Sequence, residues 1–129
     1  MKKKYLIVIA DYYGDISKGL LDSALRLIPK LSSVKKIKVP GVFEIPVTIS
    51  KNIKKYDAFL ALGCVIKGET PHFDFISQAS TNAIMDLSVT SKKPIGNGII
   101  TCLNMKQAIV RQKKGTEAAE AVISILSQK

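Results

Sequence analysis

Residues Ala58–Ile66, AFLALGCVI, form a nine-residue run without a charge. The run is about half of what a membrane-spanning helix needs, and it has no alternating polar positions to turn toward water. A strand of this kind is buried on both faces, which requires helices packed above and below it. Lys4–Ala10 (KYLIVIA) has the same character, and Pro94–Leu103 makes another strand, interrupted by Gly96 and Gly98. Lys36–Val39 is a shorter strand closed by Pro40-Gly41.

Helical spacing fills the intervals. Leu20, Leu21, Ala24, Leu25 and Ile28 recur on one face of a helix that Ser17 can cap and Pro29 ends. A second helix spans about 43–53, with Pro46 tolerable in its first turn. Phe73–Ser91 is amphipathic through Phe73, Ile76, Ala79, Ala83, Ile84 and Leu87. Lys106–Lys113 and Thr116–Ser127 are two further helices. Strand and helix alternate throughout, which predicts an α/β fold with a parallel sheet and right-handed crossovers. The natural arrangement is a three-layer α/β/α sandwich, flavodoxin-like, with four parallel strands in the order 2-1-3-4. One domain, 1–129, accounts for the length.

Composition narrows the class. With 47% apolar residues the chain is not disordered, and with 6% aromatics and no Trp its core is mostly aliphatic. Cys64 and Cys102 lie inside apolar runs without a zinc-ligand spacing, as buried thiols of a reduced compartment do. The opening MKKKYLIVIAD has too short an apolar stretch for a signal peptide. The expectation is a soluble cytoplasmic protein with no membrane partner. The net charge of +10 raises the question of nucleic acid, but 18 of the 20 basic residues are lysine, scattered mostly at element ends. Only Arg26 and Arg111 offer the guanidinium fork that base and phosphate readout favours. A solvated lysine surface that also attracts anionic substrates is expected, with no nucleic-acid partner.

Parallel sheets bind ligands beyond the carboxyl ends of their strands. Three loops there carry chemistry. In KGETPHF, Thr70 can cap a helix whose first position is Pro71, so the chain's single histidine, His72, sits in the first turn. Amides at that end and the helix dipole favour a phosphate beside Glu69 and Thr70. A histidine there can carry protons at working pH. Taken alone, the same segment reads slightly better as a capped helix with a solvent-facing histidine. In PGVFEIP, Glu44 either accepts hydrogen bonds from polyol hydroxyls or complements a helix N-terminus. Tyr12-Tyr13 follows strand one, where an aromatic can stack on a planar ring or simply pack in the loop. Arg111 either clamps a phosphate or is a helix-surface charge.

VPGVFEIP (39–46) and, one strand later, ALGCVIKGETPHFDFI (61–76) resemble the 6,7-dimethyl-8-ribityllumazine synthase family of riboflavin biosynthesis. NGIITCLNMKQAIVR (97–111) and KGTEAA (114–119) continue the likeness in order. The resemblance implies condensation of 5-amino-6-(D-ribitylamino)uracil with L-3,4-dihydroxy-2-butanone 4-phosphate, giving the lumazine, phosphate and water, with no metal or organic cofactor. It implies that Tyr12 stacks on the pyrimidine and that Val42, Phe43 and Glu44 hold the ribityl chain and ring. Cys64, Val65 and Ile66 match the strand end that reads the uracil edge. Glu69, Thr70 and Arg111 match the phosphate site, His72 the acid/base histidine and Lys114 a lysine reaching the ribityl group. Arg111, Lys114 and the Asn97 position would come from a neighbouring subunit of a homo-oligomer.

Two departures stand out. Asn97 occupies a place where many relatives carry an aromatic. Arg111 to Lys114 is only Arg-Gln-Lys-Lys, shorter than the loop of capsid-forming members, and the segment before strand one is short. A homopentamer is therefore expected, not a sixty-subunit shell. A functional link to riboflavin synthase is left open. A lysine-rich RNA-binding module would leave PGVFEIP and KGETPHF without a purpose. An inactive relative that only assembles would not need Glu44, His72 and Arg111 together.

Overall fold

A computed structural model describes residues 2–128. The strands are β1 (Lys4–Ala10), β2 (Ser33–Val39), β3 (Ala58–Ile66) and β4 (Ile95–Cys102). All pair in parallel in the expected order, β2-β1-β3-β4. The helices are α1 (Gly14–Leu25), α2 (Ile45–Lys51), α3 (His72–Ser91), α4 (Met105–Val110) and α5 (Lys114–Leu126), with a 3-10 turn at Val42–Glu44 before α2. The result is the flavodoxin-like three-layer α/β/α arrangement.

The central strands alternate between two cores. Tyr5, Ile7 and Ile9 of β1 join Leu60 and Leu62 of β3 beneath α1 and α5. Leu6 and Val8 join Phe59 and Ala61 beneath α2 and α3. Each large aliphatic side chain buried this way contributes about 1.5–3 kcal/mol. Helix α5 lies so close to α1 that a side chain on Gly115 would collide with the Leu20 carbonyl and the Ser23 hydroxyl. No helix among the described residues is long and apolar enough to cross a membrane.

The boundaries differ from expectation where tertiary contacts override local signals. Ser17 does not cap α1: the helix starts three residues earlier, at Gly14. Ser17 is buried inside it, and its hydroxyl donates to the Ala10 carbonyl at the end of β1. Helix α1 also stops at Leu25, short of Pro29, where a turn closed by the Leu27 amide and the Ala24 carbonyl at 3.2 Å takes over. Strand β2 begins at Ser33 instead of Lys36; as a solvent-lined edge its polar residues obscure the pattern. The second helix divides into the 3-10 turn and α2, with Pro46 in the first turn of α2 as expected. Thr70 is not the N-cap of α3: Pro71 holds that place, so His72 is the first helical residue. Asn104 caps α4, its side chain accepting from the Gln107 amide at 2.9 Å.

Candidate active site

The loops after β1, β2 and β3 meet around a cavity of about 640 Å³ at the carboxyl edge of the sheet. From the first loop come Tyr12 and Tyr13; from the second, Gly41, Val42, Phe43 and Glu44. Strand β3 and its loop supply Cys64, Val65, Ile66, Gly68 and Thr70, and α3 supplies His72, Phe73 and Ile76. Tyr12, Glu44 and His72 stand on three separate segments of the sequence; the fold brings all three to one cavity.

Each contributor is held by a local device. The Asp11 amide donates to the Val39 carbonyl at 2.9 Å, tying the first loop to the end of β2. The 3-10 turn closes through the Glu44 amide and Gly41 carbonyl at 3.2 Å, and the Thr48 hydroxyl donates to the Glu44 carbonyl at 2.8 Å. Glu44 stands at the N-cap position of α2, yet its carboxylate makes no capping hydrogen bond. It is half-buried and its oxygens remain available to a ligand in the cavity.

Strand β3 outruns its neighbour. Its pairing with β1 ends at Ile9 and Leu62, while pairing with β4 continues to Ile66 and Cys102. The β1-side backbone groups beyond Leu62 therefore have no strand partner, and Cys64, Val65 and Ile66 line the cavity just there. Such an edge can exchange hydrogen bonds with the rim of a planar amide-bearing ring. On the other side the Lys67 amide donates to the Cys102 carbonyl at 2.8 Å, so the strand end itself is fixed.

Beyond it the chain opens. Gly68 has no atom within 4 Å of where a side chain would stand, and 67–72 are exposed. The Thr70 hydroxyl oxygen accepts from the His72 amide at a long 3.4 Å. The His72 imidazole thus sits at the start of the 20-residue α3, at the lip of the cavity. The Cys64 thiol is unsuited to act as a nucleophile: burial first, then the neighbouring Cys102, push it up to about 12.

Four of the expected residues do not line this cavity. Glu69 is exposed on the loop between Gly68 and Thr70, which line the cavity, but does not line it itself. Asn97 lies mid-strand on β4 opposite Ala61, and its side-chain oxygen accepts from the Ile99 amide at 3.0 Å. Arg111, just past α4, donates to the Thr101 carbonyl at 3.2 Å and approaches Cys102 Sγ at 4.0 Å. Lys114 opens α5 and forms the one ion pair among the described residues, 3.6 Å from Glu117.

The cavity also has lining residues that sequence reasoning left aside. Phe73 and Ile76 were assigned to the core by helical spacing, but the first turn of α3 overhangs the cavity. Tyr13 carried the same signal as Tyr12 and lines the cavity beside it. Burial, then Tyr12 and Cys64, push its hydroxyl above the usual phenol range.

The model of the family described as 6,7-dimethyl-8-ribityllumazine synthase matches residues 2–129. A protein of that name from Cutibacterium acnes is 42% identical over 133 residues, covering 96% of this chain and 80% of the relative. One from Methylorubrum populi is 43% identical over 139 residues, covering 98% and 82%. One from Bartonella tribocorum is 44% identical over 140 residues, covering 100% and 93%. A match along the whole fold, at this identity, shows that the chain belongs to the 6,7-dimethyl-8-ribityllumazine synthase family, transferases of riboflavin biosynthesis.

Proposed function

We propose that the protein condenses 5-amino-6-(D-ribitylamino)uracil with L-3,4-dihydroxy-2-butanone 4-phosphate to give 6,7-dimethyl-8-ribityllumazine. The observation that carries this reading is the convergence of Tyr12, Glu44, His72 and the unpaired edge of β3 on one cavity. The pyrimidine stacks on Tyr12 while the free backbone of Cys64 and Ile66, on either side of the β4-paired Val65, reads its edge. Val42 and Phe43 pack against the ribityl chain, and Glu44 accepts its hydroxyl hydrogen bonds. Glu69, Thr70 and the start of α3 receive the phosphate.

The amine attacks the ketone and water leaves as the imine forms. Phosphate then departs by elimination, and ring closure expels a second water. His72 takes and returns the protons at the cavity lip. No step needs a strong nucleophile, and holding two reactants together supplies much of the acceleration.

Asn97, Arg111 and Lys114 lie outside their own chain's cavity, which supports assigning them to the site of a neighbouring subunit. Exposed apolar side chains such as Phe75, Met85, Val89 and Val110 support an assembly that covers them. The assembly is a cytoplasmic homopentamer of single-domain subunits. Mixing the purified protein with both substrates tests the function: the fluorescent lumazine appears if the reading is right. Absence of product, with salt-dependent RNA binding instead, overturns it.

A further inference from the structure

Tyr12 carries the proposed stacking, yet little holds its ring. It is 74% exposed. Its aromatic contact among the described residues is Tyr13, standing edge-on with 4.8 Å between centroids and 84° between planes. A surface tyrosine samples several side-chain rotamers. An edge-to-face partner favours one of them by about two- to tenfold.

Tyr13 is anchored where Tyr12 is not. Its backbone occupies the N-cap position of α1, and its carbonyl accepts from the Ser17 amide at 2.9 Å. Ser17 in turn is fixed by its hydroxyl to the Ala10 carbonyl. The Tyr13 ring packs on the core beneath α1 and α5, close to the Cys64 thiol. In an extended strand, consecutive side chains point to opposite faces. The turn at Tyr12–Tyr13 cancels that alternation, so both rings line one cavity.

We propose that Tyr13 is a positioning residue: its ring edge fixes the plane of Tyr12 and so sets the affinity for the aromatic substrate. This inference rests on the reading of the cavity as the site of the lumazine-forming condensation. The chain thereby transmits the rigidity of α1 to a ring that solvent would otherwise leave free. The second substrate does not feel the effect, because it does not stack on Tyr12.

Steady-state kinetics of the full chain test the proposal with Tyr13→Leu, Tyr12→Leu and the double variant. Tyr13→Leu raises the KM for the ribitylaminouracil by about two- to tenfold and leaves the KM for the butanone phosphate unchanged. Tyr13→Phe, which keeps the ring edge, restores the lost affinity. In the Tyr12→Leu background the second substitution adds nothing, since the ring it positions is gone. If Tyr13→Leu does not fold, Tyr13→Met repeats the comparison with a flexible side chain that also lacks the ring. Unchanged pyrimidine KM, equal rises in both KM values, or effects that multiply in the double variant overturn the inference while wild-type turnover upholds the reading of the site. Wild-type protein that forms no lumazine overturns both.

Discussion

A side chain on Gly63 would stand 2.8 Å from Val42 Cγ2 and 2.9 Å from Ala10 Cβ, closer than real Cβ contacts come. The turn that carries Phe43 and Glu44 therefore lies against β3 only because residue 63 has no side chain. Gly63→Ala should lift that turn, costing about 1–3 kcal/mol. Urea unfolding will report a lower midpoint, and kinetics a higher KM for the ribitylaminouracil. A midpoint equal to wild type would show that the turn is seated by something else.

Among the described residues, the Glu44 carboxylate at the cavity has no hydrogen-bond or ion-pair partner. Glu44→Gln keeps the shape and removes the charge that strengthens hydrogen bonds to polyol hydroxyls. The KM for the ribityl substrate should rise about tenfold, in keeping with the usual strength of hydrogen bonds to charged groups. The KM for the butanone phosphate should not move. A change confined to the phosphate substrate would contradict the assignment.

The raised Cys64 thiol makes a pH prediction with a definite sign. In the unfolded chain it ionises near its ordinary value of 9.0, whereas burial and Cys102 hold it to about 12 in the folded state. Its contribution to stability is thus complete below about pH 9 and is lost as pH rises through the folded value. Both thiols are buried. A thiol reagent at pH 8 should label the native protein slowly and the urea-unfolded chain fast. Rapid native labelling would contradict the burial.

Arg111 folds back onto the last residues of its own β4, donating to the Thr101 carbonyl, and does not line its own cavity. His72→Ala and Arg111→Ala should each lose most activity alone. Assembled together in equal amounts, about a quarter of the sites would combine an intact His72 with an intact Arg111 from the neighbour. Recovery of that order is expected in the mixed oligomer. No recovery would place Arg111 in its own subunit's chemistry.

The parts of the fold legible in the sequence were those where one force dominates. Strand β3 was read to the residue, Ala58–Ile66, because no polar position interrupts its burial. Strand β2 was read three residues short, since it is an edge strand and exposed lysines on both of its faces break the pattern. Ser17 looked like a cap because capping is the local use of serine; a buried bond to Ala10 is a tertiary use that no local pattern encodes. At the site, Tyr12, Glu44, Thr70 and His72 were legible from loops at the carboxyl edge. Phe73 and Ile76 were not, because helical spacing cannot tell a side chain on the core from one on a cavity beside it.

The most direct measurement follows both products at once, with the two substrates supplied together. Lumazine fluorescence and orthophosphate release should rise in step, one phosphate for each lumazine, and His72→Ala should slow both equally while retaining the wild-type melting temperature. Phosphate released without lumazine, or wild-type turnover in His72→Ala, would contradict the account.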